Sequence, residues 1–158
     1  MSSILITRNT VQEISHAVIT AAIRVHSELG PGLLESTYTA CLQHELKKAG
    51  LRSDAQVGLP VVYDGVKLDL GYRIDLLVED LVIVELKSVD AIAPVHQAQV
   101  ISYLKLSGRS LGLLINFNVA HLKDGIKRFV NGTGGSECVY HQGHEGSRRT
   151  ALDFDSPS

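Results

Sequence analysis

Three charged residues stand within two apolar segments near the middle of the chain. Asp75 lies in YRIDLLV, and Glu85 and Lys87 lie in LVIVELKSV. Both segments have the composition of β-strands, and an unpaired carboxylate or ammonium costs free energy when it is buried. Two acids and an amine in this setting therefore indicate a bound cation, a substrate phosphate, or both.

The turn between the two segments decides whether the acids can meet. If it contains an odd number of residues, for example Glu79–Leu81, antiparallel pairing places Asp75 opposite Glu85, on the face that also carries Lys87. A two-residue turn would place Asp75 opposite Val84 and separate the carboxylates, unless a β-bulge restored the register. A functional site here requires an odd turn or a bulge.

Two converging carboxylates repel one another, and a divalent cation removes the repulsion. Mg²⁺ suits such a pair because it prefers oxygen ligands and retains several waters, and Mn²⁺ could replace it. Lys87 could stabilise charge that develops on a phosphate, or orient and deprotonate the attacking water if its pKa is lowered. The sequence leaves both roles open. The alternative is that Glu85 and Lys87 form an exposed charge pair on an edge strand.

The spacing D-x9-E-x-K resembles the active-site signature of the PD-(D/E)XK nuclease superfamily. The segment Gly32–Tyr38 reads G-x-x-E-x-x-Y and, with the later runs INF and LKDGIKRFVNG, resembles the GxxExxY family of that superfamily. The resemblance covers about residues 10–132. It implies an α/β fold with a restriction-endonuclease-like core, in which helices flank a central mixed β-sheet.

Glu35 is the acid of the G-x-x-E-x-x-Y segment. Helical rotation of about 100° per residue places it within about 20° of Leu42 and Leu46, so we expect it on the buried stripe. The resemblance implies that Glu35 completes a metal site with Asp75 and Glu85, directly or through water. The alternative is a glutamate favoured at a helix N-terminus by the helix dipole.

Gln99 and Tyr103 form a Q-x-x-x-Y motif similar to that of RecB-like nucleases. Residues four apart share a helix face, so the amide and the phenol could together position a phosphate or the water beside the lysine. His96 lies on the same face, and Arg73 contributes to a local basic surface. We expect these four side chains to contact substrate.

Apolar periodicity and turn signals predict the element order ααβββαβ. Thr10 and Glu13 form a candidate capping box, and Asp64-Gly65 is a strong hairpin signal that predicts an antiparallel meander. The predicted helices are Thr10–Leu29, Leu33–Ala49 and Pro94–Leu106, and the predicted strands are Val57–Tyr63, Lys67–Val78, Leu81–Leu86 and Ser110–Phe117. We expect a nuclease-like domain over residues 1–130 and a flexible Gly/Ser-rich tail over residues 131–158.

Composition narrows the class of protein. A chain of 158 residues with 44% hydrophobic content suits one domain with one core. A net charge of −2 argues against a protein that coats nucleic acid nonspecifically. The two cysteines, Cys41 and Cys138, lie in unlike contexts and indicate no disulfide framework. Without a basic start, a long apolar leader or a membrane-spanning run, we expect a cytoplasmic protein.

These observations predict a metal-dependent nuclease that hydrolyses phosphodiester bonds, with DNA as the expected partner in preference to RNA. The catalytic group would comprise Lys87, Asp75, Glu85 and Glu35. Superfamily members often pair to cut two strands, so a homodimer is also considered. The alternative is a noncatalytic nuclease-fold module that binds nucleic acid or a partner protein.

Overall fold

The computed structural model describes residues 10–132 and the backbone of residues 138–142. The α-helices are α1 (Val11–Leu29), α2 (Glu35–Lys48) and α3 (Pro94–Ser107). The strands are β1 (Ser53–Gly58), β2 (Val61–Tyr63), β3 (Val66–Leu68), β4 (Arg73–Val78), β5 (Val82–Lys87), β6 (Leu111–Asn116), β7 (Ile126–Asn131) and β8 (Cys138–Gln142). A short 3-10 helix, Leu122–Gly125, precedes β7.

Local sequence signals set the helix ends. Thr10 and Glu13 form the predicted capping box, in which each side chain accepts a hydrogen bond from the backbone N–H of the other residue. α3 begins at Pro94 and ends before Gly108, which adopts a left-handed conformation with φ of 69°. The start and end of α3 therefore agree closely with the prediction.

Six strands form a mixed sheet in the order β1-β4-β5-β6-β7-β8. β5 and β6 are parallel, and the other neighbouring strands are antiparallel. The link between the two parallel strands contains α3, as a crossover connection requires. The predicted α/β class, with helices flanking a central mixed sheet, is confirmed.

The sheet separates two hydrophobic cores. α1 and α2 pack on one face, where Val18, Leu42 and Val84 belong to the first core. α3 packs on the other face, where Leu77, Ile83 and Leu104 belong to the second core. β5 and β6 are therefore buried on both sides, which explains their nearly continuous apolar sequences.

The predicted antiparallel pairing of the three successive segments is confirmed, but the first two, predicted as continuous strands, are each divided in two. Pro60, which has no backbone N–H to donate, separates β1 from β2, and a bend around Gly71 separates β3 from β4. β2 and β3 form a separate two-stranded hairpin around Asp64 and Gly65, whose φ values of 52° and 72° fit the expected turn. β1 instead pairs with β4 in the main sheet.

Regular structure extends into the segment that was predicted as a tail. β7 runs to Asn131, and β8 (Cys138–Gln142) pairs with it in antiparallel register. Residues 133–137 and 143–158 lie outside the described part of the chain, so the domain boundary stays a prediction. Within the described ranges, no helix combines the length and the apolar character needed to span a membrane.

Candidate metal and active site

The turn between β4 and β5 has the odd length that the site requires. Val78 pairs with Val82, so Glu79–Leu81 forms a three-residue turn. Its first two residues have φ of 53° and 57°, in the left-handed region. This register, continued along the strands, brings Asp75 opposite Glu85, as the sequence analysis predicts for an odd turn.

The two acids are held by each other's strand. The backbone N–H of Asp75 donates to Glu85 Oε1 at 3.0 Å, and the N–H of Leu86 donates to Asp75 Oδ2 at 2.9 Å. Backbone pairing between the strands ends just before this point, at Leu76 and Val84. Carboxylate oxygens, in place of backbone carbonyls, thus accept hydrogen bonds from these two N–H groups. The bonds fix both acids relative to the backbone.

The regular alternation of β4 breaks at Asp75. Leu76 packs in the first core, whereas Ile74 packs in the second, although two residues in a regular strand would share a face. On β1, Gln56 has φ of 53°, and its side-chain amide lies 3.5 Å from Asp75 Oδ1. The regular alternation that strand pairing would give β4 is therefore interrupted at Asp75. The break turns the Asp75 carboxylate towards a cleft beside α2.

Glu85 is a buried acid on a central strand. It is 1% exposed, and β5 lies between β4 and β6, so an exposed charge pair on an edge strand is excluded. Burial, followed by the nearby charge of Asp75, raises the pKa of Glu85 to about 9, while Lys87 acts in the opposite direction. In the absence of a cation, Glu85 is therefore protonated at neutral pH.

The donor set of this pair fits a hard divalent cation. Each carboxylate uses one oxygen for a backbone N–H, and the natural cation ligands are the second oxygen of Glu85 and Asp75 Oδ1, which also has the Gln56 amide at 3.5 Å. Burial and repulsion from Asp75 keep Glu85 protonated, and a bound positive charge would allow both acids to ionise. Mg²⁺ and Mn²⁺ match such oxygen donors.

Glu35 is exposed, which contradicts its predicted place on the buried stripe. The buried residues of α2 are Tyr38, Leu42 and Leu46, and Glu35 is the first residue of the helix, beyond the reach of the core. It lines the same cleft as Asp75, which has a volume of about 690 Å³. In the part of the chain with described side chains, no three acids, histidines or cysteines are grouped to hold a metal ion.

Tyr38, the last residue of the G-x-x-E-x-x-Y segment, organises the loop before α2. Its hydroxyl donates to the carbonyl of Gly30 at 2.6 Å and accepts the N–H of Leu33 at 3.1 Å. Its ring stacks on Phe117, with centroids 4.3 Å apart. The Ser88 hydroxyl, just after β5, donates to the carbonyl of Leu33 at 2.7 Å. These contacts position the start of α2, and hence Glu35, in the cleft that Asp75 also lines.

Replacing Tyr38 by phenylalanine should destabilise this loop. The ring would still stack on Phe117, but the N–H of Leu33 and the carbonyl of Gly30 would lose a partner. We expect the free energy of unfolding to fall by about 1–3 kcal/mol, as for an unsatisfied polar group in a part-buried site. Urea denaturation checks the value, with Tyr63→Phe on the exposed hairpin as the matched control. Equal losses in both variants would contradict the assigned role.

Lys87 is half-buried at the end of β5, where it pairs with Asn116 across the parallel strands. Asn116 is a buried amide whose Oδ1 accepts the N–H of Val89 at 3.1 Å and whose Nδ2 donates to the carbonyl of Val89 at 2.9 Å. It therefore fixes the backbone just after Lys87. The sequence reasoning missed Asn116, although a polar residue that ends the buried run LGLLIN was a usable signal.

Gln99 and Tyr103 share a face of α3, as predicted. The Gln99 side-chain amide donates to the Tyr103 hydroxyl at 3.0 Å. Burial raises the pKa of Tyr103, and the acids Glu85 and Asp75 raise it further, so the phenol lies within their electrostatic range. The motif therefore lies on the α3 side of the sheet, within electrostatic range of the acid pair.

His96 and Arg73 already have intramolecular partners. His96 Nδ1 accepts the N–H of Ala93 at 3.0 Å at the start of α3. The Arg73 guanidinium donates to the carbonyl of Tyr72 at 2.9 Å and lies 3.7 Å from the Asp69 carboxylate. Arg73 is exposed and lies two residues before Asp75 in the sequence. The contacts of His96 and Arg73 with substrate stay predictions.

Comparison with known proteins gives one match. A family model described as the PD-(D/E)XK nuclease superfamily matches residues 12–129. No curated protein and no solved structure matches the chain. The matched range contains the acid pair, Lys87 and the Q-x-x-x-Y motif.

Proposed function

Because the chain belongs to the PD-(D/E)XK nuclease superfamily, we propose that it is a metal-dependent nuclease that hydrolyses phosphodiester bonds in DNA. The observation that carries the proposal is the interlocked pair Asp75 and Glu85, with Lys87 two residues after Glu85 on β5. The segment Gly32–Tyr38 supports placement in the GxxExxY group.

Asp75 and Glu85 would hold one Mg²⁺ or Mn²⁺ ion. Glu35, on the wall of the same cleft, would contribute through water, since Mg²⁺ retains several waters in protein sites. When bound, the cation supplies charge neutralisation at the scissile phosphate and lowers the pKa of a coordinated water. Glu85 would lose its proton when a cation binds, because the positive charge would offset the burial and the repulsion from Asp75 that raise its pKa.

The remaining residues would act on the water and the substrate. Lys87 extends from the end of β5 beside Glu85, where its ammonium can stabilise charge on the phosphate or orient the attacking water. Gln99 and Tyr103 form a hydrogen-bonded pair on α3, and this pair is suited to hold a phosphate in place. Arg73 and His96 would contact the flanking backbone. The similarity of the Q-x-x-x-Y motif to RecB-like nucleases supports DNA over RNA.

The test is cleavage of end-labelled single-stranded DNA, duplex DNA and RNA in Mg²⁺, in Mn²⁺ and in EDTA. We expect shorter DNA products only where metal is present. Asp75→Asn, purified in parallel, controls for contaminating nucleases, and Asp54→Asn on β1 is the matched exposed acid. Intact substrates under all conditions would overturn the catalytic proposal, and nucleic acid binding that survives EDTA would then support the noncatalytic module.

A further inference from the structure

A second cleft lies on the α3 side of the acid pair. It has a volume of about 630 Å³, and its walls include Tyr72, Val95, Gln99, Ser102, Tyr103 and Leu106. We call it the apolar cleft. Its size falls within the range of roughly 300–1,000 Å³ typical of small-molecule sites. It therefore has room for one planar heterocycle.

The apolar cleft presents aromatic and aliphatic surface to solvent. Tyr72 is 45% exposed, and its ring lies 6.4 Å from that of Tyr103 at an interplanar angle of 65°. Val95, on the first turn of α3, is 68% exposed. Exposed aromatic faces next to aliphatic side chains favour the stacking of a flat ring, and stacking of this kind accepts any base.

Polar groups in the same cleft match the needs of a nucleotide. The Gln99 amide and the Ser102 hydroxyl can exchange hydrogen bonds with the edge of a base. Lys105, an exposed residue of the cleft wall, offers a positive charge to a neighbouring phosphate. An apolar ligand without hydrogen-bonding groups or negative charge would leave these groups unused.

The apolar cleft lies on the side of the sheet where Tyr103 packs in the second core with Ile74 of β4 and Ile83 of β5, near the acid pair. Gln99 and Tyr103 line the cleft, and the Tyr103 phenol also lies within electrostatic range of Glu85 and Asp75. A strand whose phosphate sits at the acids would therefore bring an adjacent base to the cleft. This proximity favours a part of the substrate as the occupant, in preference to a separate ligand.

We propose that the apolar cleft receives an unpaired nucleobase of the substrate, so that the protein acts on single-stranded nucleic acid or on a single-stranded part of a duplex. This inference rests on the proposed nuclease function. Bases inside a duplex are paired and stacked, and a base must leave the stack before its ring can enter a protein pocket. Discrimination would therefore come from strandedness and not from base identity.

Binding without metal tests the cleft separately from cleavage. The probes are a labelled single strand, the matching blunt duplex, and a series of single strands with one abasic site at successive positions, all measured by fluorescence anisotropy in EDTA. We expect the single strand to bind more tightly than the duplex. At one position of the series, loss of the base should weaken binding about 5- to 150-fold, as expected for loss of one stacked base.

Two variants locate the effect. Ser102→Phe fills the apolar cleft from an exposed helix position, and Gln97→Phe adds the same ring to α3 outside the cleft wall. We expect Ser102→Phe to bind the intact single strand as weakly as the wild type binds the abasic strand with the largest loss of affinity. We expect Gln97→Phe to bind the intact single strand like the wild type. Tyr72→Ala provides a second test if Ser102→Phe fails to fold, as judged by circular dichroism.

The outcomes are distinguishable. Metal-dependent cleavage together with equal binding of abasic and intact strands would overturn the base site but leave the proposed function standing. Absence of cleavage with the abasic effect present would overturn the nuclease but leave the base site standing. Equal or tighter binding of the duplex would overturn the inference. So would self-association of the wild type, seen by sedimentation, that Ser102→Phe abolishes, because a second copy would then occupy the cleft.

Discussion

Lys87→Ala should lower the rate of DNA cleavage by about 10²–10⁴-fold and leave the affinity for metal nearly unchanged. The oxygen ligands are those of Asp75 and Glu85, and each is held by a backbone N–H that this substitution does not touch. The ammonium of Lys87 would contribute only when charge or a proton moves. The measurements are single-turnover cleavage and calorimetric titration with Mn²⁺, on the same protein samples.

The control is Lys67→Ala, which removes an exposed lysine from strand β3, away from the acid pair. Equal cleavage by Lys87→Ala and Lys67→Ala would remove Lys87 from the active site. Lys87→Arg separates the two proposed roles. Arginine retains the positive charge but does not give up its proton, so partial activity indicates charge stabilisation, and loss equal to that of alanine indicates proton transfer from water.

Glu85→Gln should make the metal-free protein more stable at neutral and alkaline pH while it abolishes cleavage. The folded state raises the pKa of Glu85 from 4.5 to about 9. Below pH 4.5 the group is protonated in both the folded and the unfolded state, so it imposes no penalty. Between these two pKa values the unfolded chain ionises and the folded protein does not, so stability falls as pH rises, and above about pH 9 it falls no further.

Glutamine keeps an oxygen for the N–H of Asp75 but cannot ionise, so the variant avoids this loss. We expect its advantage in free energy of unfolding to be near zero at pH 4.5 and on the order of 2–4 kcal/mol at pH 8. Urea denaturation in EDTA at pH 5, 6.5 and 8 measures it, with Glu28→Gln on the exposed part of α1 as control. An advantage that stays constant with pH would contradict the assigned protonation.

Features set by neighbouring residues could be predicted from the sequence. The capping box at Thr10, the proline start of α3 and its end before Gly108 depend on contacts within a few residues. The turn at Asp64 and Gly65 was also correct, but its place in the main sheet was not. Hairpin formation is local, whereas the choice of sheet partner depends on strands far apart in the chain.

In the candidate site, too, local features could be predicted and features that depend on distant residues could not. The D-x9-E-x-K spacing identified the acid pair, because antiparallel strands joined by an odd turn bring these positions together. The break at Asp75 could not be predicted, since it occurs beside Gln56 of β1, a residue distant in sequence with φ of 53°. Helical periodicity gave the direction of Glu35 around the helix axis, but it does not say whether the core extends to the first turn. The partners of Tyr38 and Asn116 lie in other elements.

The short reversal Glu79–Leu81 has a consequence for how this protein can change in evolution. β4 and β5 carry apolar residues towards both cores, so loss of one codon in the reversal would still leave mostly apolar side chains on either side of the sheet. The same loss would move Glu85 out of line with Asp75. Under the proposed function, selection on the number of residues in this reversal would come mainly from the two acids, because hydrophobic packing alone would permit more variation.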